Sequence, residues 1–194
     1  SLKGDKFTAL DWYKGHLLVV SSRGLIFSYQ VKSNTFVNVG DLLSLYCIRW
    51  DPSGQRYATG GGKDIYILDH ISRDSKTLKG HEMAVYSVSW DPNGSRIVSG
   101  SADKSIRIWD VVSGAQTVTI NYHLTSVLCV AWSPLGNKIA SSSTDCTVRL
   151  WDIEMDTDGV ELTEGPRRER VEIDLTNEID EIDLSQSNSS SVNA

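Results

Sequence analysis

The twelve residues SGSADKSIRIWD, 99–110, hold Ser99, Asp103 and Trp109, and His81 lies 18 residues before Ser99. A serine, a histidine and an aspartate can form a hydrolase triad. They can also form a buried polar brace. The chain itself separates the two readings, because His123, Ser141, Asp145 and Trp151 repeat the set. In both copies the steps are 18 residues from His to Ser, 4 to Asp and 6 to Trp. A catalytic constellation is needed once, whereas a set copied at an offset of 42 residues reads as architecture. No G-x-S-x-G nucleophile elbow is present either.

The repeat extends over the rest of the body. Four similar runs end in tryptophan: FTALDW at Trp12, LYCIRW at Trp50, VYSVSW at Trp90 and VLCVAW at Trp132, spaced by 38, 40 and 42. Three of them lead into a turn, DPSG at 51–54, DPNG at 91–94 and SPLG at 133–136. Proline presets φ at the second turn position and glycine accepts the exit conformation. A short strand-like run follows, then a polar hairpin, then SIRIWD at 105–110 or TVRLWD at 147–152, which alternate apolar with polar residues. No stretch reads as a long amphipathic helix. Each unit is therefore about four short strands, too few to bury two faces alone. Radial stacking buries both, which is the logic of a propeller blade.

These residues resemble the WD40 family over about 4–165. The match is strongest at 79–152, where Gly80-His81, Asp103 and Trp109-Asp110 fall at family spacing, as do His123, Asp145 and Trp151-Asp152. Tyr122 stands where the family has glycine, and the first two units end in Tyr29-Gln30 and Leu68-Asp69. The fold implied is all-β, a WD40 β-propeller with about four blades at 4–40, 41–78, 79–120 and 121–165. Propellers have 4–8 blades, and this family's usually lie near the upper end. Four blades read as the C-terminal portion of a longer propeller, or as one closed by a partner or a second copy. The resemblance also implies two hydrogen-bonded chains, Trp109–Ser99–His81–Asp103 and Trp151–Ser141–His123–Asp145. His16 and His70 read instead as solvated residues outside any such chain.

WD40 proteins mostly act as rigid adapters, and their frequent contact position lies five residues after the blade histidine. That implies Tyr86 and Leu128 here. Alignment on the tryptophans adds Tyr46 and Thr8, and Ala102 and Thr144 precede the hairpin aspartates. Tyr46 and Tyr86 have two readings, a peptide-binding rim or packing between blades. Gly60-Gly61-Gly62-Lys63 lacks the phosphate-loop pattern, since Asp64 follows and the context is a hairpin.

The net charge of −6 is uneven. Residues 154–194 carry 12 acidic and 3 basic side chains, whereas 1–153 carry 13 and 16. The body is not basic enough for direct nucleic-acid binding by charge. No apolar run reaches a membrane span. Cys47, Cys129 and Cys146 are odd in number and lack metal-ligand spacing, which fits a reducing compartment, cytoplasmic or nuclear. No cofactor or metal is called for. Residues 166–194 read as an acidic, disordered tail. Within it Val171, Ile173 and Leu175 alternate with acids, loosely similar to SUMO-interacting motifs, so a SUMO-like partner is one reading and a solubilising tail the other.

The function expected is a non-enzymatic protein-interaction scaffold in an intracellular complex. Alternatives are a substrate-recognition adapter in ubiquitin ligation or cell-cycle control, a chromatin or RNA-processing subunit, and a Ser-His-Asp hydrolase.

Overall fold

The computed structural model describes residues 5–42 and 44–153. The acidic segment, with Val171, Ile173 and Leu175, lies outside them, as does the end of the fourth unit. The described residues form four antiparallel sheets and no helix. The first sheet runs β1 (Phe7–Tyr13), β2 (His16–Ser21), β3 (Leu25–Gln30) and β4 (Thr35–Asp41). The second runs β5 (Leu45–Trp50), β6 (Arg56–Gly61), β7 (Asp64–Asp69) and β8 (Ser75–Leu78). The third runs β9 (Val85–Trp90), β10 (Arg96–Ser101), β11 (Ile106–Asp110) and β12 (Gln116–Ile120). The fourth has three described strands, β13 (Val127–Trp132), β14 (Lys138–Ser143) and β15 (Val148–Asp152). Each sheet is a simple meander, with neighbours in sequence paired in space.

The first strands pack side by side, β1 on β5, β5 on β9 and β9 on β13. The sheets thus stand as blades of a partial propeller, and the core lies between blades rather than within one. One cluster joins Leu18, Val20 and Ile26 of the first sheet to Leu45, Ile48 and Trp50 of the second. A second joins Cys47, Ala58 and Ile67 to Val85, Val88 and Trp90. A third joins Val98, Ile106 and Ile108 to Val127, Val130 and Trp132. Strand alternation explains this: successive side chains point to opposite faces, and both faces of an inner blade are covered.

Polar clasps cross the same junctions. The Trp50 amide donates to Asp11 Oδ2 at 2.7 Å, and the Trp132 amide donates to Ser89 Oγ at 3.0 Å. The Trp90 indole donates to the Arg49 carbonyl at 3.1 Å. Close approach demands glycine in two places. A Cβ on Gly60 would sit 2.8 Å from Val85 Cγ1, and one on Gly100 would sit 2.7 Å from Val127 Cγ1.

The turns after the tryptophans are wired by their first residue. Asp51 Oδ1 accepts the amides of Gln55 and Arg56, both at 3.1 Å, and Asp91 Oδ1 accepts those of Ser95 and Arg96 at 2.8 and 2.9 Å. Both aspartates are buried. In the third turn Ser133 Oγ takes the Lys138 amide at 3.0 Å.

Candidate functional site

The third sheet brings Trp109, Ser99, His81 and Asp103 into one chain of hydrogen bonds. The Trp109 indole donates to Ser99 Oγ at 2.8 Å. Ser99 Oγ lies 2.7 Å from His81 Nε2, and His81 Nδ1 lies 2.8 Å from Asp103 Oδ2. One proton arrangement satisfies every member: the serine hydroxyl donates to Nε2 and the Nδ1–H donates to the carboxylate. The fourth sheet repeats it. Trp151 donates to Ser141 at 2.9 Å, Ser141 meets His123 Nε2 at 2.8 Å, and His123 Nδ1 meets Asp145 at 2.9 Å.

Electrostatics hold the chain in that form. Burial pushes the His81 pKa down, against the pull of Asp103, so the ring stays neutral. Burial works in the opposite sense on Asp103, raising its pKa. Hydrogen bonds from the Ser105 hydroxyl, the Glu82 amide and His81 outweigh it and hold the carboxyl well below the usual range. Asp145 is held low in the same way, by Thr147, the Leu124 amide and His123 against burial. The loop preceding each first strand is thereby tied to the β10–β11 or β14–β15 hairpin.

Chemically this is a triad without access. Ser99 is fully buried, Ser141 nearly so, and each serine oxygen already takes an indole N–H. A substrate carbonyl has no path to it. In the second sheet Thr59 stands at the serine position and donates to the Cys47 carbonyl at 2.7 Å instead, while Leu68 replaces the tryptophan. No chain forms there.

A different set of residues faces solvent. In all four sheets the pairing of the first strand slips at one place, between Phe7 and Ala9, Leu45 and Cys47, Val85 and Ser87, and Val127 and Cys129. The residues inside these bulges are Thr8, Tyr46, Tyr86 and Leu128. A bulge re-aims a side chain away from the regular alternation. Tyr46 and Leu128 are exposed, and Tyr86 is half-buried with its ring edge-on to Tyr46, 5.4 Å between centres. The two tyrosines thus touch each other across two blades and keep surface. Thr144 is exposed. Ala102 corrects the sequence reading: it is buried, its amide donating to the Ala84 carbonyl at 2.8 Å, and it offers a partner almost nothing.

His16 and His70 also differ from expectation. Each is half-buried rather than solvated, and their rings lie 5.4 Å apart, edge to face. Both also pack edge-on to Trp50. With Gln30, Thr35, Val39 and Arg73 they line a cavity of about 140 Å³ between the first two sheets. Burial lowers the His70 pKa, and the nearby His16 and Arg73 add to the effect. His16 begins β2, the place where Arg56 begins β6 and Arg96 begins β10. Those arginines stack over Trp90 and Trp132, at 5.2 and 4.8 Å from the ring centres. The signal was in the sequence, six residues after a tryptophan for Arg56 and Arg96, but the shorter first hairpin hid it for His16.

The family comparison follows the same pattern. The model for the WD domain, G-beta repeat matches residues 72–110 and 114–152. No curated protein sequence matches the chain. Each matched unit begins with the outer strand of one sheet, β8 or β12, and continues through the first three strands of the next. Repeat and sheet are thus out of step by one strand, and each unit straps two blades together. Meandering antiparallel sheets, buried Trp–Ser–His–Asp chains and this offset go with one assignment: residues 72–110 and 114–152 of the chain are WD40 repeats.

Proposed function

We propose that this protein is a non-enzymatic interaction scaffold that holds a partner segment against the row formed by Thr8, Tyr46, Tyr86 and Leu128. The observation that carries this reading is the bulge repeated at one position of every first strand. Repetition of a register fault at the same place, with a different side chain each time, fits a surface whose frame is fixed and whose contacts are free to vary. Tyr46 and Tyr86 supply large, stiff contact area, and Leu128 supplies an apolar neighbour. The rigid part is the pair of buried chains, which pin the neighbouring loops through Asp103 and Asp145. A role inside a reducing compartment, nuclear or cytoplasmic, is supported by three cysteines that are all free.

The test compares proteins retained by the wild type and by a Tyr46→Ala/Tyr86→Ala double variant, both checked for folding by circular dichroism. Val112→Ala, in the exposed turn after β11, serves as the control. Loss of specific retained proteins in the double variant alone is the expected result. Identical sets for all three proteins would overturn the proposal.

A further inference from the structure

Of the three junctions that join the four sheets, the first is built differently. At the second and third, Arg56 stacks on Trp90 and Arg96 on Trp132, and the buried side chains of Val111 and Ile153 join the same clusters as those tryptophans. At the first junction histidine holds both places, His16 that of the arginines and His70 that of Val111 and Ile153. The His70 amide donates to the Gln55 carbonyl at 2.8 Å, as Val111 does to Ser95 at 2.9 Å and Ile153 to Asn137 at 2.8 Å. The residue opposite the cation changes too. Arg56 pairs across its hairpin to Asp69, Arg96 to Asp110 and Lys138 to Asp152, whereas His16 pairs to Gln30. Where the other junctions have a carboxylate and an apolar plug, this one has an amide and an imidazole.

These residues surround the cavity of about 140 Å³, whose lining holds no carboxylate. Its fixed charge is Arg73, in the turn between β7 and β8. Arg73 has a φ of +67°, a left-handed conformation that favours glycine, and strain of that kind collects at functional positions. Its guanidinium reaches the Val39 carbonyl of the first sheet at 3.5 Å, and among the described residues no carboxylate forms an ion pair with it. Buried polar atoms without a partner among the described residues gather here as well. They are Nδ1 of His16, Nδ1 of His70 and Nε1 of Trp50, on whose ring both histidines pack. The indoles of Trp90 and Trp132, by contrast, donate to carbonyls at 3.1 and 3.0 Å. Orphaned buried polar atoms are costly and rare, so a cluster of them marks a place for a polar guest.

The donors decide what that guest is. A guanidinium matches the oxygens of a phosphate, and a histidine ring nitrogen donates in one tautomer. Ser33 donates to Gln30 Oε1 at 3.1 Å, which leaves the Gln30 amide hydrogens to donate in turn. A divalent cation would meet a guanidinium and no carboxylate, a poor ligand set. A drug-sized molecule needs roughly 300 Å³ or more. We infer that the cavity binds a phosphate-type oxyanion, with Arg73 as its charge partner and His16, His70 and Gln30 as hydrogen-bond donors. The anion supplies the negative charge that Asp69, Asp110 and Asp152 supply at the same place in the other sheets. The site lies at the far end of the strands from the bulge row, since His16 pairs with Tyr13, the last residue of β1, and Thr8 stands near its start. It is therefore separate from the scaffold surface. Free phosphate and the phosphorylated side chain of a partner offer the same chemistry to it.

The sequence has 4 histidines, so imidazole nitrogen NMR reads the site directly, with His81 and His123 as internal controls. Inorganic phosphate and N-acetyl phosphoserine amide are titrated separately into the whole chain, against sodium chloride at equal ionic strength. The expected result is a saturable shift of the His16 and His70 rings with a phosphate probe, while His81 and His123 stay still. Arg73→Gln is expected to weaken binding about tenfold or more, through loss of a charge-assisted hydrogen bond. His70→Val copies the plug that Val111 forms at the next junction, so it is expected to keep the circular dichroism spectrum and lose the binding. Tighter binding of inorganic phosphate supports a free ion as the occupant, and tighter binding of the phosphoserine probe supports a phosphorylated partner. No shift with either probe, the same shifts with chloride, equal movement of all the histidines, or unchanged affinity in either variant would each overturn the inference.

Discussion

The guanidinium of Arg56 lies over the indole of Trp90, 5.2 Å from the ring centre, and its carboxylate partner Asp51 sits in the turn of its own sheet at 3.1 Å. One side chain thus ties a turn to the next blade. Arg56→Met keeps much of the apolar stem and loses the cation and the ion pair. Its expected cost is about 1 kcal/mol, from a partly exposed cation–π contact and a discounted salt bridge. Urea titration against wild type checks it, with an unchanged m-value.

His16 tests the same place in the first sheet. Because it packs on Trp50 and His70, His16→Ala is expected to lower the melting temperature measurably, though less than His81→Ala does. A loss for His16→Ala equal to that for His81→Ala would refute the ranking.

Ser99→Ala strands the Trp109 indole and His81 Nε2 in a dry interior. Loss of both partners is expected to cost about 2–4 kcal/mol, since each orphaned buried group costs about 1–3. Ser141→Ala should cost less, because Trp151 is only half-buried. Thermal melts of the two variants rank them.

Gly100→Ala drives a methyl group into Val127 and Val130 across the junction. Overpacking of this kind costs about 1–3 kcal/mol. The same change at Gly15, where a Cβ meets nothing, carries only the penalty of its positive φ and serves as the comparison.

Acid should weaken the protein in two stages. The folded His81 pKa lies below its ordinary value of 6.5, so the unfolded chain takes the proton first and stability falls as pH drops through that region. Asp103 and Asp145 are held below 3.8, so their contribution is complete above that value and is lost as pH falls beneath it. Melting temperatures from pH 8 downward check the shape. His81→Gln should remove the histidine's share of the upper stage.

The sheets were legible because strand chemistry is local: tryptophan-ended runs, proline turns and alternating WD strands each declare themselves. The His–Ser–Asp chains were legible because they occur twice. The bulges were not, because a slipped register is an event between two strands and Thr8, Tyr46, Tyr86 and Leu128 share no residue type. The His16–His70 contact was hidden for a related reason. It joins two sheets whose repeats have drifted, and no period links a hairpin start to a hairpin exit. Ala102 was not legible because its backbone pairs with the Ala84 carbonyl of the preceding loop, and side-chain identity does not report that cover.

The one-strand offset between matched unit and sheet separates what is inherited from what folds. Removing 72–110 would place β12 where β8 had been, and the second sheet would still find an outer strand. Lineages can therefore change their number of blades by whole-unit loss or duplication without ever passing through a broken sheet.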